Sequence, residues 1–168
     1  MKKNLNFRIL FLCMGNYCRS PTAQGVFEKL IENCDLTKYI EVDSAGTHTF
    51  HLGKAPDPRC QKSAKNRGYS IEQIKSRLIK QEDYSLNDLV LVMDWDNYAI
   101  AENQCNTENK HKILLLAQFC SKYNLSTIPD PYYDVENGFE YALDLIEDAC
   151  RGLLKYVQKR LRLNKLLK

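Results

Sequence analysis

Phe7-Arg8-Ile9-Leu10-Phe11-Leu12-Cys13-Met14-Gly15-Asn16-Tyr17-Cys18-Arg19-Ser20-Pro21 is the stretch that decides how this chain is built. Residues 7–13 make a short, nearly unbroken apolar run, the pattern of a strand buried on both faces. A glycine-containing loop follows, and Ser20-Pro21 then offers an N-cap with proline at the first helical position. Beyond it Ala23, Val26, Phe27, Leu30 and Ile31 recur at helical spacing. The unit reads strand, loop, helix.

The same grammar continues downstream. Tyr39 to Gly46 is a second strand, followed by a loop rich in His, Gly and Pro that runs to about Pro58. Arg59 to Asn66 can be a helix, with Gly68 as its stop. Leu89 to Met93 is a third strand, and Asp94-Trp95-Asp96-Asn97 can cap a helix towards Glu102. Ile113 to Leu116 is a fourth strand, and the apolar spacing from Gly138 to Leu163 predicts one long amphipathic helix. Strands alternating with helices predict an α/β domain with a parallel sheet. No repeat, linker or low-complexity segment divides the chain, so residues 1–168 read as a single domain. In such sheets ligands bind beyond the carboxyl ends of the strands, where Cys13 and Asp94 both stand.

Composition narrows the function classes. Hydrophobic residues at 44% and charged residues at 27% are ordinary for a soluble domain, and a net charge of +3 does not call for a nucleic-acid partner. No stretch reaches the roughly 20 apolar residues that span a bilayer. The apolar run from Phe7 to Met14 is too short for a secretory signal and leads into no small-residue cleavage site. The reading is a cytoplasmic protein, mostly monomeric, with no membrane partner. Its seven cysteines (13, 18, 34, 60, 105, 120 and 150) are odd in number and dispersed, unlike a disulfide framework or a zinc site. Most read as small buried hydrophobes lying singly in helix or core. The Lys- and Arg-rich segment after Lys155 complements a helix C-terminus and is given no further role.

A phosphate ester needs a cradle for its oxygens, a nucleophile, and a proton for its leaving group. Cys13 and Arg19 bracket five residues, enough for the backbone to curl round one tetrahedral anion. The N–H groups of Met14, Gly15, Asn16, Tyr17, Cys18, Arg19 and Ser20 can then point at the oxygens, with the positive end of the following helix behind them. Gly15 permits a backbone shape that a side chain would resist. Arg19 can grip two oxygens with its planar fork. The same positive field favours the thiolate of Cys13, the form that attacks phosphorus, and Ser20 can donate a hydrogen bond to the sulfur. For the acid, the residues alone leave Asp43, Asp94, Asp130 and Asp134 open. Asp130 lies between Pro129 and Pro131 in a loop, and Asp94 is placed as a helix cap near the floor of the site.

The run from Leu12 to Pro21 resembles the signature of the low-molecular-weight protein tyrosine phosphatases. Asp43-Ser44-Ala45-Gly46-Thr47, Pro56-Asp57-Pro58-Arg59, Val92-Met93-Asp94 and Asp130-Pro131-Tyr132-Tyr133 match segments of that family in the same order. The resemblance covers essentially the whole chain. It implies a four-stranded parallel twisted sheet flanked by helices, Rossmann-like in form, with no metal and no cofactor. It implies that Asp130 is the general acid and base, and that Cys13 forms a phosphocysteine intermediate. Tyr132 and Tyr133 correspond to walls of the substrate cleft, with Phe50 near the opposite wall and Tyr17 adding an aromatic edge. A deep aromatic slot suits phosphotyrosine proteins or small aryl phosphates. Asn16 and Ser44 resemble a pair that holds the loop in shape from behind, with Asn16 in a left-handed conformation. Cys18 resembles a second loop cysteine that traps an oxidised Cys13 as a disulfide. Two positions depart from the pattern: Gln24 stands where glutamate is common, and Ile74 falls about where many members carry a loop-bracing histidine.

Two other readings use the same loop. An arsenate reductase would need further redox cysteines near it, and a non-catalytic phosphotyrosine-binding module would be expected to lack Cys13 or Asp130.

Overall fold

The computed structural model describes residues 6–133 and 137–166, with side chains of the last helix as far as residue 162. Four strands, β1 (Phe7–Cys13), β2 (Ile40–Gly46), β3 (Leu89–Val92) and β4 (Ile113–Leu115), form one parallel sheet in the order β2-β1-β3-β4. The helices are α1 (Arg19–Asn33), α2 (Pro58–Asn66), α3 (Gln81–Leu86), α4 (Trp95–Gln104) and α5 (Gly138–Leu166).

The alternation of side chains across a strand divides β1 between two cores. Phe7, Ile9, Phe11 and Cys13 face α1 and α5, packed with Val26, Phe27, Leu143, Ile146 and Leu153. Leu10 and Leu12 face the other way, onto Tyr84, Ala101, Val90 and Val92. Because both faces are covered, the strand reads as a continuous apolar run and not as an alternating one. Phe11 and Phe27 meet edge to face, 5.9 Å between centroids.

The connection from β1 goes one way to β2 and the chain later returns to the other side of β1 with β3. The crevice between β1 and β3 is therefore a topological switch point, open at the carboxyl ends of the strands. Cys13 ends β1 and Asp94 stands two residues past the end of β3, at the N-cap of α4.

Three local expectations change. Helix α1 starts at Arg19 with Cys18 as an N-cap that makes no side-chain capping bond, so Ser20 and Pro21 lie inside the first turn. The Ser20 hydroxyl is used instead by the loop. Helix α2 starts at Pro58, capped by Asp57, whose carboxylate accepts from Arg59 N–H at 2.8 Å. The short helix α3 has no counterpart among the expected elements. It is six residues long and held by tertiary contacts through Tyr84, so it carries too little periodicity to be seen in the sequence.

Candidate active site

The loop after β1 is held by its carbonyl groups. Cys13 O accepts from Thr47 N and Met14 O from His48 N, each at 2.9 Å, while Tyr17 O accepts from Asp57 N at 2.9 Å. Gly15 O accepts from Ser76 Oγ at 2.8 Å, and Cys18 O from Thr22 Oγ1 at 2.7 Å. Carbonyls held in this way would leave the intervening N–H groups to face the hollow of the loop, as an anion nest requires. Gly46 makes the close approach of β2 possible, since a Cβ there would come within 2.8 Å of Met14 O and 2.9 Å of Asn16 N.

Asn16 has φ of 49° and is 1% exposed, so its left-handed backbone is secured by what surrounds it. Its Nδ2 donates to Ser20 Oγ and to Ser44 Oγ, both at 2.9 Å, and its Oδ1 accepts from Arg77 N at 2.9 Å. Ser44 Oγ in turn donates to Gln24 Oε1 at 2.6 Å, and Gln24 Nε2 donates to Glu28 at 2.9 Å. Gln24 thus serves as acceptor for Ser44, as a glutamate could also do. The bracing expected of a histidine near Ile74 falls to Ser76 and the backbone of Arg77. Ile74 packs in the apolar cluster beside Cys60 and Ile71. These contacts join residues about 60 positions apart, and the sequence carries no local signal for them.

Cys13 is buried, with its Sγ 3.1 Å from Ser20 Oγ. Arg19, 2% exposed, reaches Asp94 Oδ2 with Nη1 at 2.6 Å, Ile128 O with Nη1 at 2.9 Å, and Asp130 Oδ2 with Nη2 at 3.1 Å. Burial alone would lower the basicity of that guanidinium. The charges of Cys13, Asp130 and Asp94 outweigh it and push its affinity for the proton up. Asp94 is at once helix cap, accepting from Asn97 N at 2.8 Å, and anchor for Arg19. Of the four candidate acids, Asp43 is paired with Arg77 at 2.7 Å and does not line the cleft. Asp134 lies outside the described residues. Asp130 alone among the described candidates lines the cleft, and its Oδ1 accepts from Tyr132 N at 3.1 Å.

The cleft is lined by Cys13, Arg19, Asp130 and the aromatics Tyr17, Phe50, Tyr132 and Tyr133, with a volume of about 300 Å³. His51 joins them, stacked on Tyr17 at 3.8 Å with 9° between planes. Burial, aided by Lys54, pulls this imidazole below its usual value, and its buried Nδ1 has no hydrogen-bond partner among the described residues. Sequence reasoning misses His51, and its position next to Phe50 is the one signal that points to it. Phe50 stacks on His48 at 5.2 Å and Tyr132 meets Tyr133 at 4.9 Å. Phe50 and Tyr133 are 65% and 86% exposed, so the outer walls stand in solvent.

Behind this rim Asp57 and Arg59 join the two sides of the cleft. Arg59 grips Asp57 through Nε and Nη2 at 3.0 and 2.8 Å, and its guanidinium lies over the rings of Tyr132 at 5.5 Å and Phe139 at 4.5 Å. Cys18 is buried beside Cys60 of α2, so Cys60 does not stand alone as the sequence suggested. Among the described residues, no group of three or more His, Cys, Asp or Glu is placed to hold a metal ion, and no helix is long and apolar enough to cross a membrane.

The family described as low molecular weight phosphotyrosine protein phosphatase matches residues 8–163. A Streptomyces coelicolor low molecular weight protein-tyrosine-phosphatase is 34% identical over 160 residues, covering 93% of this chain and 96% of that protein. The crystal structure of a protein tyrosine phosphatase from Entamoeba histolytica, with Hepes in its active site, superposes with a TM-score of 0.88 at 39% identity, covering 92% and 98% of the two chains. Vibrio vulnificus Wzb in complex with benzylphosphonate superposes with a TM-score of 0.78 at 30% identity, covering 90% and 99%. The chain belongs to the low molecular weight phosphotyrosine protein phosphatase family.

Proposed function

We propose that this phosphatase hydrolyses aryl phosphate monoesters, phosphotyrosine among them, through a phosphocysteine intermediate on Cys13. The observation that carries the reading is the convergence of Cys13, Arg19 and Asp130 on one aromatic-walled cleft. The phosphoryl group sits in the loop, its oxygens met by backbone N–H groups and by Arg19. Cys13 attacks phosphorus in line with the ester oxygen, the P–O bond breaks, and Asp130 protonates the departing phenolate. Asp130, now a carboxylate, takes a proton from water, which attacks phosphorus. The P–S bond breaks with Cys13 leaving as thiolate, eased by the Ser20 hydroxyl. Arg19 meets Asp130 at 3.1 Å and would exchange that partner for phosphate oxygens when substrate enters. Tyr17, Tyr132 and Tyr133 favour a flat ring held away from the backbone, a role to which the benzylphosphonate bound by the Vibrio protein lends support.

Steady-state hydrolysis of p-nitrophenyl phosphate, without added metal, tests the reading. Wild type turns over, Cys13→Ser loses activity, and Asp130→Ala loses about 10²- to 10⁴-fold in rate. An inactive wild type, or full activity in Cys13→Ser, would overturn it. The proximity of Cys60 to Cys18 favours a second reading, arsenate reduction. It requires arsenite to form when arsenate and a thiol reductant are supplied.

A further inference from the structure

Cys18 lines two spaces at once. It borders the cleft together with Cys13, and it borders a small cavity behind the loop together with Cys60, Ser63, Phe139 and Leu143. Cys18 and Cys60 are 6% and 5% exposed and share one apolar cluster with Ala64 and Ile71. The three thiols therefore follow one another through the shared linings, Cys13 on the buried floor of the cleft, Cys18 in the wall between the two spaces and Cys60 behind it. All are free. We infer that Cys60 is the terminal thiol of a relay, which takes the disulfide away from Cys13 and stores it as Cys18–Cys60. Such a relay rests on Cys13 being the reactive nucleophile of the phosphatase reaction proposed above.

The steps balance with a peroxide as oxidant. The Cys13 thiolate attacks one peroxide oxygen, the O–O bond breaks, and sulfenic acid and hydroxide result, the latter leaving as water after protonation. The Cys18 sulfur then attacks the Cys13 sulfur, its proton joins the departing hydroxyl as water, and a Cys13–Cys18 disulfide forms. Cys60 loses its proton to solvent and attacks the Cys18 sulfur. The S–S bond to Cys13 breaks, and Cys13 departs as thiolate. The last step is an exchange with no net redox change. Its direction is favoured by the leaving group, because Cys13 departs beside the Arg19 cation and the Ser20 hydroxyl, whereas Cys60 lies in an apolar cluster and faces the charge of Arg59, which Asp57 already pairs. The hydrogen bond with Cys60, and then burial, push the Cys18 thiol well above its usual value, so Cys18 waits as a protonated thiol beside its partner.

The consequence is a phosphatase that regains a free nucleophile while still oxidised. The test treats wild type, Cys60→Ser and Cys60→Ala with hydrogen peroxide, removes the peroxide with catalase, and adds no thiol reductant. Non-reducing peptide mapping of wild type is expected to find Cys18 joined to Cys60, with p-nitrophenyl phosphate hydrolysis returning. Both Cys60 variants are expected to retain Cys13–Cys18 and to recover at least about tenfold more slowly until dithiothreitol is added. A wild type that holds only Cys13–Cys18, or whose recovery matches both Cys60 variants, overturns the relay. The wild-type map reads the relay even if a variant folds poorly. Absence of hydrolysis before any peroxide is added would instead count against the phosphatase reading itself.

Discussion

Arg19 Nη1 lies 2.6 Å from Asp94 Oδ2, so the cation expected to grip phosphate is held from below by the residue that also caps α4. The two carboxylate oxygens divide these roles: Oδ2 holds the guanidinium, and Oδ1 accepts from the N–H of Asn97. Mutation can separate the two.

Asp94→Asn keeps an oxygen for the cap and removes the charge that orients Arg19. Hydrogen bonds to charged groups contribute about 1.5–3 kcal/mol, so kcat/KM for p-nitrophenyl phosphate should fall about 10- to 100-fold. The melting temperature should change by no more than about 4 °C, the span of roughly 1 kcal/mol in a chain of this size. Asp94→Ala should lose the same activity and add the cost of the missing cap. Equal kinetics in Asp94→Asn and wild type would show that Arg19 needs no anchor.

Arg59 ties the loop side of the cleft to the acid side. Asp57 N–H holds Tyr17 O, the Asp57 carboxylate holds Arg59, and Arg59 lies over Tyr132, whose N–H holds Asp130. Arg59→Ala should therefore loosen the position of Asp130 without touching the loop after β1. The signature is dependence on the leaving group. Phenyl phosphate, which needs its departing oxygen protonated, should lose about three- to tenfold in kcat, while 2,4-dinitrophenyl phosphate should be nearly unaffected. An equal loss on both substrates would place Arg59 in general packing instead.

Acid stability follows from Asp57. Burial opposes ionisation of this carboxyl, and the hydrogen bonds and charge of Arg59 overcome it, so its folded-state value lies below the ordinary carboxylate range. The contribution to stability is fully present above about pH 4, where the unfolded chain has also ionised, and is lost as pH falls through the lowered value. Asp148 acts with the same sign. Burial raises it, but the N–H groups of Lys122, Ser121 and Tyr123 hold it below its usual value. Thermal melts below pH 4 should fall with pH, and Asp57→Asn should flatten part of that limb while leaving the part due to Asp148. A limb of unchanged slope in Asp57→Asn would contradict the assignment.

Much of this was legible in the chain because its signals are local. The apolar run at β1, the loop that ends at Arg19, and the periodicity of α5 each announce themselves within one segment. Ser20 shows the limit of such reading. A serine before proline looks like a helix cap, yet its hydroxyl meets Cys13 and Asn16 while Cys18 stands at the cap position. The brace supplied by Ser76 and Arg77, the stacking of His51 on Tyr17, and the meeting of Cys18 with Cys60 are all contacts between distant segments. They depend on how the loops after β2 and α2 fold back over the end of the sheet. No residue spacing encodes that path.

The central claim is that phosphate passes through the sulfur of Cys13. Rapid acid quenching during turnover of p-nitrophenyl phosphate, followed by peptide mapping, tests it directly. The expected result is a phosphate adduct on Cys13 in wild type, absent in Cys13→Ser. Hydrolysis that continues with no adduct on Cys13, or that survives in Cys13→Ser, would contradict the account.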